Sequence, residues 1–213
     1  MKRICLLIAV LFLAWFVPNG AGATTLYLQG VNFPDTISAT IDFNYNPSTY
    51  EIDMLATNTS SVVSALTALA FNAPAVVTGI SNLTAPNGWY AVFDRDGIGT
   101  PGQFGFFDFA DITGPNFNGG SPLSGIWSPG GSFDFQLQVA GDSLGSLTTA
   151  SFLNELSFLD DKVGTPVNFI ARFQAIGPND ESDVAVVPIP PTAVLLGSGL
   201  LGLGILGWRR KKT

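Results

Sequence analysis

Hydrophobic and polar residues alternate along several stretches of this chain. Every second position is apolar over residues 37–45, 50–56, 133–139 and 168–175, and the positions between are mostly polar. A period of two is typical of β-strands with one buried and one solvated face. The turn sequence Asn46-Pro47-Ser48-Thr49 separates the first two stretches, which predicts a β-hairpin. Weaker strands are predicted at 25–28, 65–71, 75–80, 89–93 and 103–109.

Turn sequences rich in glycine, proline and asparagine recur between these strands, and only one helix is predicted. It covers residues 149–157, with Thr148 or Thr149 as its cap and Phe152, Leu153 and Leu156 on one side. Many short strands with polar outer faces predict an all-β domain over residues 24–177. We expect an antiparallel β-sandwich, jelly-roll-like, with one short helix.

The first 23 residues have the pattern of a secretory signal peptide. Lys2 and Arg3 precede an apolar run, which ends before Pro18, and Ala21-Gly22-Ala23 is a small-x-small cleavage sequence. Cleavage there would start the mature chain at Thr24. A retained signal anchor is the alternative, although the apolar run is short for a membrane span.

The last residues predict a transmembrane helix over 192–208. This stretch carries no charge, would extend about 26 Å as a helix, and ends at Trp208. The basic residues Arg209, Arg210, Lys211 and Lys212 follow directly, and such clusters stay on the cytoplasmic side of a membrane. Between domain and helix, residues 178–187 are acidic and contain proline, which predicts a solvated linker.

Composition and charge exclude several classes of function. Hydrophobic residues make up 46% of the chain and charged residues 12%, so the chain is not intrinsically disordered. Histidine is absent and the one cysteine is Cys5, within the signal, which excludes zinc, haem and iron–sulfur sites built from these residues, and Ser-His-Asp catalysis. All sixteen acidic residues lie between Asp35 and Asp183, against three basic ones there, so nucleic-acid binding is not expected.

The C-terminal segment resembles a PEP-CTERM sorting tail. The matching parts are the motif Val187-Pro188-Ile189-Pro190-Pro191, the glycine-rich apolar stretch and the basic end, about 26 residues in all. Ile189 stands where the usual motif has glutamate, as in variant tails of the Val-Pro-x-Pro type. The resemblance implies an exported protein of a Gram-negative bacterium that makes exopolysaccharide, and recognition by a membrane protease of the exosortase type, the expected partner.

Asp94-Arg95-Asp96-Gly97 is the best charged cluster in the predicted domain. Two carboxylates and a glycine suggest a calcium loop, with Asp94 and Asp96 as weak candidate ligands. The next residues supply none of the further acids that such a loop requires, and an Asx or glycine turn explains the sequence equally well. Asp108 and Asp111 could contribute only if the fold brings them close. No metal or other cofactor is therefore expected.

Other candidate groups have equally plain structural explanations. Asp160-Asp161-Lys162 is interpreted as a loop with a local ion pair, because no cleft of paired acids is evident. Trp89, Tyr90 and Trp127 could stack on a sugar, or could instead pack in the core and brace loops. Asn58-Thr59-Ser60 and Asn82-Leu83-Thr84 are formal glycosylation sequons, which a bacterial host would not be expected to use.

These observations predict a structural or interaction protein of the cell envelope or extracellular matrix, not an enzyme. It would be exported, attached to the inner membrane through its C-terminal helix before processing, and then linked to the cell surface or released, where exopolysaccharide is a possible partner. Two alternatives stay open: a carbohydrate-binding module or weakly glycan-active protein of the envelope, and a permanently tail-anchored periplasmic protein.

Overall fold

A computed structural model of the chain describes residues 22–100, 103–159 and 164–188. Within these residues the protein forms eleven β-strands and one short α-helix, α1 (Thr149–Leu153), which precedes the last two strands. The strands are β1 (Thr24–Gly30), β2 (Ser38–Asn46), β3 (Glu51–Asn58), β4 (Ala65–Phe71), β5 (Val77–Thr84), β6 (Tyr90–Gly99), β7 (Phe106–Ile112), β8 (Ile126–Trp127), β9 (Ser132–Gly141), β10 (Phe169–Ile176) and β11 (Glu181–Val186).

The strands form one continuous antiparallel sheet. Its order is β5-β9-β3-β2-β1-β11-β10-β4-β7-β6, and β8 pairs separately with β4. The end strands β5 and β6 also contact one another, so the sheet curls into a barrel-like shape. The predicted all-β, antiparallel class is confirmed. The two packed sheets of a jelly-roll-like sandwich are here one continuous sheet, because alternation indicates which face of a strand is buried and not how the sheet continues.

The strongest alternation patterns give the most regular part of the sheet. β2 and β3 pair without a register shift, from Ala39 opposite Asn58 to Asn46 opposite Glu51. Every second residue of both strands is buried, as the predicted hairpin requires, and β9 continues the same pattern on the far side of β3. One face of this region therefore covers the core and the other faces solvent.

β4 differs because all seven of its residues are buried. One face meets the main hydrophobic core, in which the Phe71 ring contacts those of Phe43, Phe109, Phe152 and Phe169. The other face, with Ala68 and Ala70, packs in a second and smaller core. Burial on both faces explains why the β4 sequence lacks the alternation of β2 and β3.

The predicted helix exists but ends earlier than expected. Thr148 is its cap, and its side chain and that of Ser151 form a reciprocal capping box. Phe152 and Leu153 are buried, as predicted, whereas Leu156 lies beyond the helix and is 58% exposed. The predicted helical face at Leu156 was wrong because the helix ends at Leu153, with Asn154 as its C-cap.

The linker predicted at residues 178–187 was wrong, because most of this segment belongs to the domain. Glu181–Val186 is β11, which lies between β1 and β10 in the sheet. Asp183 is 1% exposed and accepts hydrogen bonds from the backbone N–H groups of Asn32, Phe33 and Val184 and from Asn32 Nδ2. Asp183, which was predicted to lie in a solvated linker, is therefore buried and holds the β1–β2 loop in place.

The predicted signal helix and transmembrane helix lie outside the described residues. Among the residues that the structure does describe, no helix is long and apolar enough to cross a membrane.

Candidate functional site

The cluster Asp94-Arg95-Asp96-Gly97 lies within β6 as a bulge. Phe93 pairs with Phe109 of β7 and Ile98 with Phe107, so the residues between them loop out of the ladder. Asp96 has a φ of 51°, a left-handed conformation that aspartate tolerates better than most residues. The proposed turn thus takes the form of a bulge, and both of its carboxylates are exposed.

The bulge is held by Asp108, a buried residue of β7. Asp108 Oδ1 accepts from the backbone N–H of Asp96 at 2.8 Å, and Oδ2 accepts from Arg95 Nη1 and from the N–H of Ala73, both at 3.0 Å. The Asp108 side chain is 4% exposed and that of Arg95 is 38% exposed. Hydrogen-bond donors therefore surround both carboxylate oxygens, one of them cationic.

Arg95 extends this arrangement across the place where the curled sheet closes. Its guanidinium donates to the carbonyl oxygens of Ala73 at 3.2 Å and Pro74 at 3.3 Å, and also to that of Val77, the first residue of β5. The side chain thereby joins β6 to the segment that begins β5, two elements at opposite ends of the strand order. We call Arg95, Asp108 and the groups they bind the closing bracket.

The closing bracket differs from the calcium site that Asp94 and Asp96 suggested. Asp108 is brought close to the loop, as a metal site would require, and its carboxylate oxygens accept hydrogen bonds from Arg95 and from the N–H of Asp96. No group of three or more acidic residues in the described segments is arranged to hold a metal ion. The arrangement joins β6, β7 and the segment that begins β5.

A second polar contact, between Asn82 and Asp111, links β5 to β7. Asn82 Nδ2 of β5 donates to Asp111 Oδ1 of β7 at 3.1 Å, and Asp111 is fully buried. Asp111 Oδ2 and Asn82 Oδ1 are buried acceptors without a hydrogen-bond partner. Burial raises the pKa of Asp111 to about 6, and the hydrogen bond from Asn82 offsets part of that rise. No local pattern in the sequence predicts this pair.

The three aromatic residues considered for sugar stacking do not share one environment. Trp89 is 6% exposed, its Nε1 donates to the carbonyl of Ser124 at 2.7 Å, and its ring meets Phe135 edge-on. The Tyr90 hydroxyl donates to the carbonyl of Gly114. Trp127 is 40% exposed on β8. Trp89 and Tyr90 therefore brace the loop that leads to β8, which was the alternative to a stacking role.

The sequon residue Asn58 is a buried structural group. Its Nδ2 donates to the carbonyls of Ser64 at 3.0 Å and Ile126 at 2.9 Å, while its Oδ1 accepts from the N–H of Ser60. Asn58 is fully buried, so a glycan on its amide nitrogen is incompatible with this fold. Asn82, the other sequon residue, donates its amide to Asp111.

The solvent-facing side of β2, β3 and β9 carries a shallow polar groove of about 490 Å³. A row of side chains crosses it: Thr84 Oγ1 donates to Gln136 Oε1, and Gln136 Nε2 donates to Asp53 Oδ1. The residues that line the groove are Ala23, Asp42, Asn44, Asp53, Met54, Leu55, Thr84, Asp134, Phe135 and Gln136. No basic side chain from the described part of the chain lines it.

The structure describes the two predicted processing motifs only where they join the domain. Ala23 is exposed and directly precedes β1, while Ala21 lies outside the described residues. Val187 packs against the main core and Pro188 is exposed. Three further groups of predicted residues lie outside the described part of the chain. They are Ile189, Pro190 and Pro191 of the motif, the basic residues 209–212, and Asp160, Asp161 and Lys162.

Comparison with known proteins finds no matching family, no similar curated protein and no similar solved structure.

Proposed function

We propose that this protein is an exported structural or interaction protein of the cell envelope or extracellular matrix, without catalytic activity of its own. It is delivered by a cleaved signal peptide and sorted through its PEP-CTERM-like tail by a membrane protease of the exosortase type. Before processing, the tail attaches it to the inner membrane; afterwards the domain is linked to the surface or released.

One observation carries this proposal. The first strand begins at Thr24, the expected start of the mature chain, and the last strand ends at Val186, directly before the motif that begins at Val187. A sheet bounded in this way needs neither end segment for its strand pairing. Removal of both ends would therefore leave the domain intact, which is what a sorting route with two cleavages requires.

Because β11 occupies most of the predicted linker, it restricts where a protease can reach the chain. β11 is an interior strand, and its neighbour Val187 packs on the core, so exposed chain begins at Pro188. A protease that binds the motif in an extended form therefore gains access from Pro188 onward. This favours cleavage at or beyond Pro188 and disfavours cleavage within residues 181–186.

The test is the intact mass of the protein recovered from native envelope and from the medium. We expect a species that begins at Thr24 and ends near Pro188. A species that begins at Thr24 but still ends at Thr213 would contradict sorting and favour the permanently tail-anchored alternative. A species that begins at Met1 would contradict signal cleavage.

A single substitution, Ile189→Glu, tests the motif while leaving the apolar stretch unchanged. Ile189→Glu restores the residue usual in this motif, so we expect processing to be retained or increased. Loss of processing in Ile189→Glu, with signal cleavage unchanged, would contradict the proposed family of the tail.

A carbohydrate-binding role is a second candidate, favoured by the polar groove on β2, β3 and β9. Its carboxylate and amide groups, among them Asp53, Asn44 and Gln136, can accept and donate hydrogen bonds to sugar hydroxyls. Trp89 is buried, and Tyr90 is 43% exposed with its hydroxyl bound to the carbonyl of Gly114, so these two residues do not form a shared exposed aromatic platform. We therefore rank it below the structural role.

A further inference from the structure

Asp111 and Asn82 join parts of the sheet that share no backbone hydrogen bonds. β7 pairs with β4 and β6, whereas β5 pairs with β9 at the other end of the strand order. The hydrogen bond from Asn82 Nδ2 to Asp111 Oδ1 is therefore a direct side-chain link between the two ends of the curled sheet. It lies in a buried setting, since Asp111 is opposite Leu69 of β4 and Ala91 of β6.

The pairing of atoms is incomplete when Asp111 is ionised. One carboxylate oxygen accepts from Asn82, and the other, Oδ2, has no donor; Asn82 Oδ1 also has none. Two unpartnered buried acceptors on a single pair of side chains are costly. Both deficits disappear if one proton is added to Oδ2, because a carboxylic acid and an amide can form a closed pair with two hydrogen bonds.

Among the described residues, no other charged group supplies the missing donor. β4 and β5 contain no titratable side chain. On β6, Arg95 binds Asp108 and three carbonyl groups, Asp94 and Asp96 are exposed, and the Tyr90 hydroxyl donates to Gly114; on β7, Asp108 is bound by Arg95. The proton must therefore come from solvent.

We infer that Asp111 and Asn82 form a proton-operated latch, in which a protonated Asp111 Oδ2 donates to Asn82 Oδ1 and tightens the closure of the sheet as the surroundings become acidic. Loss of the proton leaves a single hydrogen bond and an unpaired buried charge, which loosens the contact between β5 and β7.

The direction in which pH changes the folding stability follows from proton binding. The folded state holds the Asp111 proton up to about pH 6, whereas the unfolded state releases it near the ordinary value of 3.8. The group's stabilisation is therefore fully present below 3.8, declines as the pH rises, and is lost above about 6. Between pH 7 and pH 5 the folding equilibrium constant gains on the order of tenfold from this group.

The experiment compares denaturant unfolding of the full chain in nonionic detergent at pH 7 and pH 5. Relative to Asp111→Asn, the wild-type folding constant should rise about tenfold on acidification. Asp134→Asn, which changes an exposed carboxylate of the outer face, should follow the wild type. Asn82→Leu leaves Asp111 buried, so it should keep the pH dependence, but it should unfold more readily than the wild type at pH 5 because the link between β5 and β7 is lost. Equal pH dependence in wild type and Asp111→Asn would overturn the latch.

A titration of the wild-type protein followed by NMR tests the protonation of Asp111 even if a variant fails to fold. The carboxyl carbon resonance of Asp111 should titrate with a midpoint near pH 6. A midpoint near 4, the ordinary value for aspartate, would overturn the inference.

Discussion

A chain that ends after Asn179 is expected not to fold, whereas a chain that ends after Pro188 folds cooperatively. In the described sheet, β11 is the strand that connects β1 to β10, so its removal divides the strand order into β5-β9-β3-β2-β1 and β10-β4-β7-β6. The deletion also removes Asp183, which accepts hydrogen bonds from both backbone and side chain of Asn32. The free energy that a central strand contributes exceeds the small free energy of unfolding of a typical domain.

The two chains are made with the same start at Thr24, so that they differ only by residues 180–188. Circular dichroism and denaturant titration measure whether each unfolds in a single cooperative transition. Equal unfolding free energies would mean that residues 180–188 are a solvated linker after all, and would contradict the observed position of β11.

Removal of the Arg95 guanidinium is expected to cost about 2–4 kcal/mol of unfolding free energy. In Arg95→Met the nearly buried carboxylate of Asp108 keeps its two backbone donors but loses its cation. The carbonyls of Ala73, Pro74 and Val77 lose the hydrogen bond from the guanidinium, although that of Pro74 still accepts from the N–H of Val77. Breaking a fully buried ion pair costs about 3–5 kcal/mol, and partial exposure of Arg95 lowers the expected value.

A double-mutant cycle separates the ion pair from the other contacts of Arg95. Denaturant unfolding is measured for Arg95→Met, Asp108→Asn and the double variant, and Asp94→Asn serves as a neighbouring exposed control. We expect Arg95→Met to cost clearly less in the Asp108→Asn background. Additive effects would show that the pair is not coupled and that the closing bracket is an incidental surface contact.

Alternation alone was enough to predict the most regular part of the fold. In β2, β3 and β9 polarity matches exposure at most positions, with Leu55 and the buried Asn58 as exceptions, so the elements, faces and hairpin followed from the sequence. β4 was predicted in position but its double burial was not, since an apolar strand gives no indication of what covers its second face. β8 has only two residues, which is too short for any periodic signal.

The wrong linker and the unpredicted burial of Asn58 share one physical cause, which is that polar residues were expected to face solvent. Asp183 is buried because backbone N–H groups of a distant loop satisfy its carboxylate, and Asn58 is buried because it bridges the carbonyls of Ser64 and Ile126. Such partners are far away in the chain, so no local spacing predicts them. The same holds for Asp111 and Asn82, which are 29 residues apart.

The most direct test of the account is amide hydrogen exchange on the chain from Thr24 to Pro188. The account holds that this segment is a complete domain, closed by β11 and independent of both processed ends. We predict that the amides of residues 184–186 are protected to the same degree as those of β2 and β3. Exchange of residues 184–186 at the rate of an exposed loop, with β2 and β3 still protected, would contradict it.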